Sequence, residues 1–227
     1  MDALDRLAPP AADLLARVDA MLARCGAPPG HPVWPLLRRL HALPGEAVSA
    51  VVAASAAPLD TTGSALRRIE ETYRHAYIAL PPTPEGWRGA GAESFAAQWA
   101  ALRRHLGQDL TGRLRDTVSF VEAIGDWTRE TRLALARTLA AALTSAQAVL
   151  VRTAATAPDD RETAPVPPDV VRAAADIAAR VLSTLTEAYD RGAALLDEWA
   201  PRLDEVGYRA PTSASPVGLD GIIEVRS

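Results

Sequence analysis

Lysine and asparagine are absent from the 227 residues, cysteine occurs once, and aromatic residues make up only 5%. Each shortage excludes something. With Cys25 alone, neither an intramolecular disulfide nor a thiolate-rich metal site can form. Without Lys, all 24 positive charges are Arg, set against 28 Asp and Glu. The resulting net charge of -4 provides no footprint for nucleic acid or an anionic membrane surface, so neither partner is expected. No window approaches the ~18 uncharged apolar residues that a membrane span requires. The opening Met1-Asp2-Ala3-Leu4-Asp5 lacks the basic and apolar regions of a cleaved leader. The expectation is synthesis in the cytoplasm without a signal peptide, with any export by another route.

What is present points to helices. Alanine is about a fifth of the chain, and Ala, Leu, Arg and Glu lead the helix-propensity scale. Leu4, Leu7, Ala11, Leu14, Val18, Met21 and Cys25 are spaced by threes and fours, one face of a helix. Pro9 and Pro10 interrupt this stripe, so the spacing predicts a firm helix over about 10–24. A Pro/Gly-rich loop over 26–35 precedes a short helix at about 35–42. The longest stripe runs Val48, Val52, Ser55, Leu59, Thr62, Leu66, Ile69, Tyr73, Ala76 and Leu80. Pro58 and Gly63 within it predict two pieces or a kink near 57–60, with Asp60 or Thr61 as the cap. After Pro81, Pro82 and Pro84 the period resumes at Phe95, Trp99, Leu102, Leu106, Leu110, Leu114, Val118, Val121 and Ile124. A bend is expected at Gly125-Asp126, with helix continuing from Leu133 to Val151. A last stripe runs from Val171 to Trp199.

The fold class read from this pattern is all-α: an elongated antiparallel helical hairpin or bundle with additional N- and C-terminal helices. The divisions are 1–44 (N-terminal helix and Pro-rich loop), 45–155 (hairpin), 156–168 (linker), 169–200 (C-terminal helix) and 201–227 (irregular tail). Gly221-Ile222-Ile223-Glu224-Val225 in the tail is the only strand-like segment. No catalytic constellation emerges. The four His are scattered without a Cys partner, so no metal and no cofactor are expected. Acidic pairs such as Glu70-Glu71 fall on predicted helix surfaces, and Gly86, Gly89 and Gly91 follow no strand that would make them a phosphate loop.

Trp87-Arg88-Gly89 lies between two long apolar stripes, and Phe95 and Trp99 follow Trp87 by eight and twelve residues. A Trp in a turn between antiparallel helices can cover the open end of the pair, and Gly permits the reversal without a Cβ clash. Over about residues 45–125 this pattern resembles the Trp-x-Gly (WxG) superfamily, the helical hairpins exported by type VII secretion systems of actinobacteria. In that family Trp-x-Gly occupies the turn and a Phe about six residues beyond the Gly opens the second helix, as Phe95 does here. Ala92, Ala96 and Ala97 supply its small residues. The resemblance implies a non-enzymatic protein, a secreted substrate or co-exported partner acting through protein–protein contacts. Trp87, Gly89, Phe95 and Trp99 would form the turn and partner-binding motif. The partner would be a second copy, a paired hairpin protein or the secretion machinery, in a homo- or heterodimer. The chain is longer than small members of the family. It also lacks their Tyr-x-x-x-Asp/Glu export signal, since the residues four beyond Tyr73, Tyr77, Tyr189 and Tyr208 are Tyr77, Pro81, Ala193 and Thr212. The alternative reading is therefore an intracellular helical adaptor, chaperone or antitoxin-like binding protein.

Overall fold

A computed structural model describes residues 2–81, 86, 88–155 and 166–203. Among them the structure is all-α and contains no strand. The helices are α1 (Ala3–Cys25), α2 (Val33–Leu40), α3 (Pro44–Ala53), α4 (Ala57–Ala79), α5 (Ala90–Arg104), a π-helical segment His105–Leu110, α6 (Thr111–Leu143), α7 (Ala146–Ala155) and α8 (Pro168–Trp199). A 3-10 turn, Ala200–Arg202, follows α8. No single helix among the described residues is long and apolar enough to cross a membrane.

The chain forms two compact units: Met1–Asp60 with Glu122–Glu198, and Thr61–Val121 with Trp199–Ser227. These units do not follow the divisions at 44/45 and 155/156 read from composition. Most of the linker (156–165) and all but the first residues of the tail, including Gly221–Val225, lie outside the described residues.

In the first unit α8 is the spine. Ala174, Ile177, Ala178, Val181, Leu182 and Leu185 are all at most 1% exposed. Against them pack Leu14 and Val18 of α1, Leu135 and Leu139 of α6, and Ala148 and Val151 of α7. The alanines keep the backbones close, and each buried Leu or Ile contributes on the order of 2 kcal/mol by leaving water.

Helix α1 departs from the expected start at residue 10. It begins at Ala3 and carries Pro9 and Pro10 inside it. Two proline rings remove backbone donors and clash with the preceding turn, at ~3 kcal/mol each in a helix interior. Burial and capping outweigh this cost. Leu4 and Ala11 are almost wholly buried on either side of the prolines. Asp2 caps the helix by accepting from the Asp5 N–H (3.0 Å), while the Asp5 carboxylate accepts from the Asp2 N–H (2.8 Å). Arg132 of α6 secures the same turn. Its side chain is 9% exposed; Nε donates to Asp2 (2.6 Å) and Nη2 to Asp5. Its Nη1 reaches the last carbonyls of α3: Val51 (2.9 Å), Val52 (2.9 Å) and Ala54 (2.6 Å). One guanidinium thus caps the C-terminal end of α3 and binds the N-terminal turn of α1.

Other boundaries also move. The short helix starts at Val33 rather than 35, and the break in the longest stripe falls at 54–56 rather than near 57–60. The Ser55 hydroxyl accepts from the Ala57 N–H (3.2 Å), so Asp60 sits inside the first turn of α4 instead of capping it. Helix α6 runs through Gly125 without ending, and the interruption comes at Thr144–Ser145. There the Ser145 hydroxyl accepts from the Ala148 N–H (3.2 Å) and starts α7.

Candidate functional site

The second unit holds the predicted turn residues that can be placed. Trp87 lies outside the described residues. Gly89 is the N-cap of α5 with φ at 103°, a conformation that L side chains rarely adopt, and its carbonyl accepts from the Glu93 N–H (3.1 Å). Nothing lies within 4 Å of the position a Cβ would take there, so the glycine is required by backbone geometry rather than by space.

From Gly89 the helix carries Phe95, Trp99 and Arg103 at intervals of four, on one face. The rings of Phe95 and Trp99 stack at 6.0 Å, 12° apart. The Trp99 indole N–H donates to the Pro81 carbonyl (3.2 Å), and Arg103 donates to the Leu80 carbonyl (3.1 Å). The Arg103 guanidinium also lies 5.1 Å from the centre of the Tyr77 ring. These contacts answer a defined need. Leu80 and Pro81 lie just past the end of α4, so their carbonyls fall outside its hydrogen-bond ladder. Trp99 and Arg103 supply the missing donors from α5.

Further contacts follow the same order. Tyr77 packs against Gly107, where an added Cβ would lie 2.6 Å from the ring. Arg115 reaches Glu70 (3.3 Å), and Gly63 faces Val121. Rising numbers on one side meet falling numbers on the other, an antiparallel register from 63/121 to 81/99. The structure therefore brings Phe95 and Trp99 together and joins them to Tyr77 and Arg103, which sequence reasoning missed. Arg103 was accessible from spacing alone, being four residues beyond Trp99. Tyr77 was not, because only the pairing of the two segments brings it to Arg103.

The chemistry available here is recognition. Phe95 (37%) on α5 and Ile69 (43%) and Tyr73 (42%) on α4 are each partly exposed to solvent. In the second unit the hydrogen bond from Arg74 holds the Glu71 carboxyl below its usual value; the other displaced carboxyls lie in the first unit. Arg132 holds the Asp2 carboxyl at about 2. Burial pushes Asp19 up to about 6 against the opposing pull of the Gly45 N–H, which donates to it at 3.0 Å. The Asp19 oxygen would meet a Cβ on residue 45 at 2.5 Å, so glycine there permits this contact with the start of α3. His31 is buried. Its Nδ1 accepts from the Val33 N–H (3.2 Å), which leaves the proton on Nε2 to donate to Asp176 (3.0 Å). These groups join segments of the fold. Among the described residues no group of three or more His, Cys, Asp or Glu is placed to hold a metal ion.

Comparison of the chain with family models, curated proteins and solved structures finds no match.

Proposed function

We propose that this chain is a non-enzymatic helical-hairpin protein of the type VII secretion class, a substrate or co-exported partner that acts by pairing with another helical protein. The observation that carries the reading is the turn-proximal geometry of the second unit. Gly89 sits at positive φ at the head of α5, and the Phe95-Trp99-Arg103 face closes onto the Leu80 and Pro81 carbonyls just beyond α4. That arrangement suits the Trp-x-Gly pattern seen in the sequence. Pairing is supported by the uncharged face of α4. Thr62, Ile69, Tyr73, Ala76 and Leu80 are spaced by threes, fours and sevens, and Ile69 and Tyr73 are more than 40% exposed. A partner helix would remove these residues from water.

The test is affinity capture of the tagged chain from its host, with the culture supernatant assayed in parallel in cells with and without the secretion ATPase. The reading expects a helical partner to be captured, and both proteins to reach the supernatant only with the ATPase. Ile69→Glu should abolish capture without changing helicity. Recovery of the chain solely inside the cell, independent of the ATPase, favours the intracellular adaptor, a reading supported by the lack of a Tyr-x-x-x-Asp/Glu signal.

A further inference from the structure

Helices α1 and α3 of the first unit pack antiparallel: Asp19 accepts from Gly45 at the start of α3, and Arg132 joins the first turn of α1 to the end of α3. A groove of about 600 Å³ runs along this pair and opens to solvent. Leu15 and Val48, both buried, form its floor. Its walls carry small exposed residues, Ala12 and Ala16 on α1 and Ser49 and Ala53 on α3, which let a further helix approach closely.

One end of the groove is charged. The carboxylates of Asp19 and Glu46 stand there, and each accepts only from a backbone N–H, Asp19 from Gly45 (3.0 Å) and Glu46 from Leu43 (3.2 Å). No Arg among the described residues bonds to either. Burial raises the Asp19 carboxyl to about 6, the Gly45 N–H offsets part of this, and Glu46 adds to it. A cation arriving at this end would relieve both carboxylates.

The same unit carries a helix of complementary character. Helix α7 turns Ala148 and Val151 into the core but leaves Val149 59% and Leu150 42% exposed. Its one charged residue is Arg152, in the last turn and three residues beyond Val149, which puts the two on adjoining parts of one face. Its 10 residues span roughly 15 Å, close to the roughly 16 Å between Ala8 and Asp19 along the groove. Within one chain α7 is held in the cluster of Leu14 and Val18, so only another molecule can bring this face to the groove.

We propose that the groove between α1 and α3 receives α7 of a second copy of this chain, with Val149 and Leu150 over its small-residue walls and Arg152 at Asp19 and Glu46. The guanidinium has five N–H donors and can serve several acceptors at once. One short helix in a groove covers less than the ~1,600 Å² of a standard interface, so the contact belongs with the weak, reversible ones. Groove and helix both lie in the first unit, so the inference does not depend on the hairpin reading.

The test is sedimentation equilibrium of the full-length chain from about 5 to 500 μM, a range suited to weak interfaces. Reversible self-association is expected. Val149→Glu places a charge on the docking face, and Ser49→Arg fills the groove and neutralises its carboxylates from within the same chain; each should weaken association about tenfold or more. Asp19→Asn should weaken it about fivefold. An equimolar mixture of Val149→Glu and Ser49→Arg should associate one-to-one where neither does alone, since the first keeps an intact groove and the second an intact α7. Circular-dichroism melts matching wild type separate loss of contact from loss of folding, and Leu150→Gln provides a second, milder change on the same exposed face. A chain that stays monomeric throughout, or association unchanged in Val149→Glu and Ser49→Arg, overturns the proposal. So does a mixture that fails to restore association, or self-association that only Ile69→Glu abolishes, which would assign the contact to α4.

Discussion

Replacing Arg132 by Ala tests the energetic centre of the first unit. The guanidinium has five acceptors: the carboxylates of Asp2 and Asp5 and the carbonyls of Val51, Val52 and Ala54. Removing one partner of a buried ion pair costs roughly 3–5 kcal/mol, because the charges left behind lose their compensation. Here Asp2 and Asp5 are 47% and 30% exposed and can rehydrate, which places the loss near the lower end, about 3 kcal/mol. For a chain of this length that corresponds to a fall in melting temperature of roughly 6–12 °C. The pH dependence identifies the cause. Asp2 is held at about 2 in the folded state against 3.8 for the free side chain. Its contribution is therefore complete above about pH 4 and is lost as pH falls through 4 towards 2. In Arg132→Ala this acid limb should shrink along with the overall stability. Arg132→Lys should recover little, since a single ammonium cannot span both helix ends. The assay is thermal and urea unfolding by circular dichroism from pH 2 to 7. A melting temperature within about 2 °C of wild type, with the acid limb retained, would falsify the assignment of Arg132 as the tie between α1 and α3.

Other outcomes follow from single contacts. Asp19→Asn removes a carboxyl whose pKa is raised to about 6, so the wild type should lose stability as pH rises from about 4 to 6 while the variant stays flat. At pH 7 the variant should equal or exceed the wild type by about 1 kcal/mol, the shift being discounted for solvent screening; a less stable variant at pH 7 contradicts the burial argument. Gly89→Ala should cost about 1 kcal/mol through backbone strain alone, measurable in urea unfolding, since nothing would touch the new methyl. Gly107→Ala pushes a Cβ to within 2.6 Å of the Tyr77 ring and should cost about 1–3 kcal/mol, with altered near-ultraviolet dichroism as the ring moves off Arg103. An unchanged near-ultraviolet spectrum would show that Tyr77 does not pack there.

Helical periodicity was legible almost throughout, because a buried helix face requires apolar residues every three or four positions whatever it packs against. Boundaries were less so. Pro9 and Pro10 carry a strong local signal against helix, and it was overridden by partners more than a hundred residues away in the chain, above all Arg132. The break at Thr144–Ser145 has no Pro or Gly to announce it, only a serine that is equally common on helix surfaces. In the candidate site, the spacing of Phe95 and Trp99 was readable, but their hydrogen-bonding partners on α4 were not. Those depend on which segments meet, and no local pattern encodes that.

The π-helical segment His105–Leu110 has a further consequence. Leu102, Leu106, Leu110, Leu114 and Val118 advance by four residues at each step, so the sixteen residues from first to last exceed the four turns, about 14.4 residues, of an ideal α-helix. One widened turn takes up most of the excess and acts as a phase-setter between the two stretches of helix it joins. Winding the same residues as a regular α-helix, with none removed, would rotate α5 by about 100° relative to the helix that follows. Phe95, Trp99 and Arg103 would then turn away from the end of α4 without any of them having been changed. Closing the widened turn thus exchanges the face that α5 offers its surroundings, whereas deleting one residue there closes the turn and leaves that face in place.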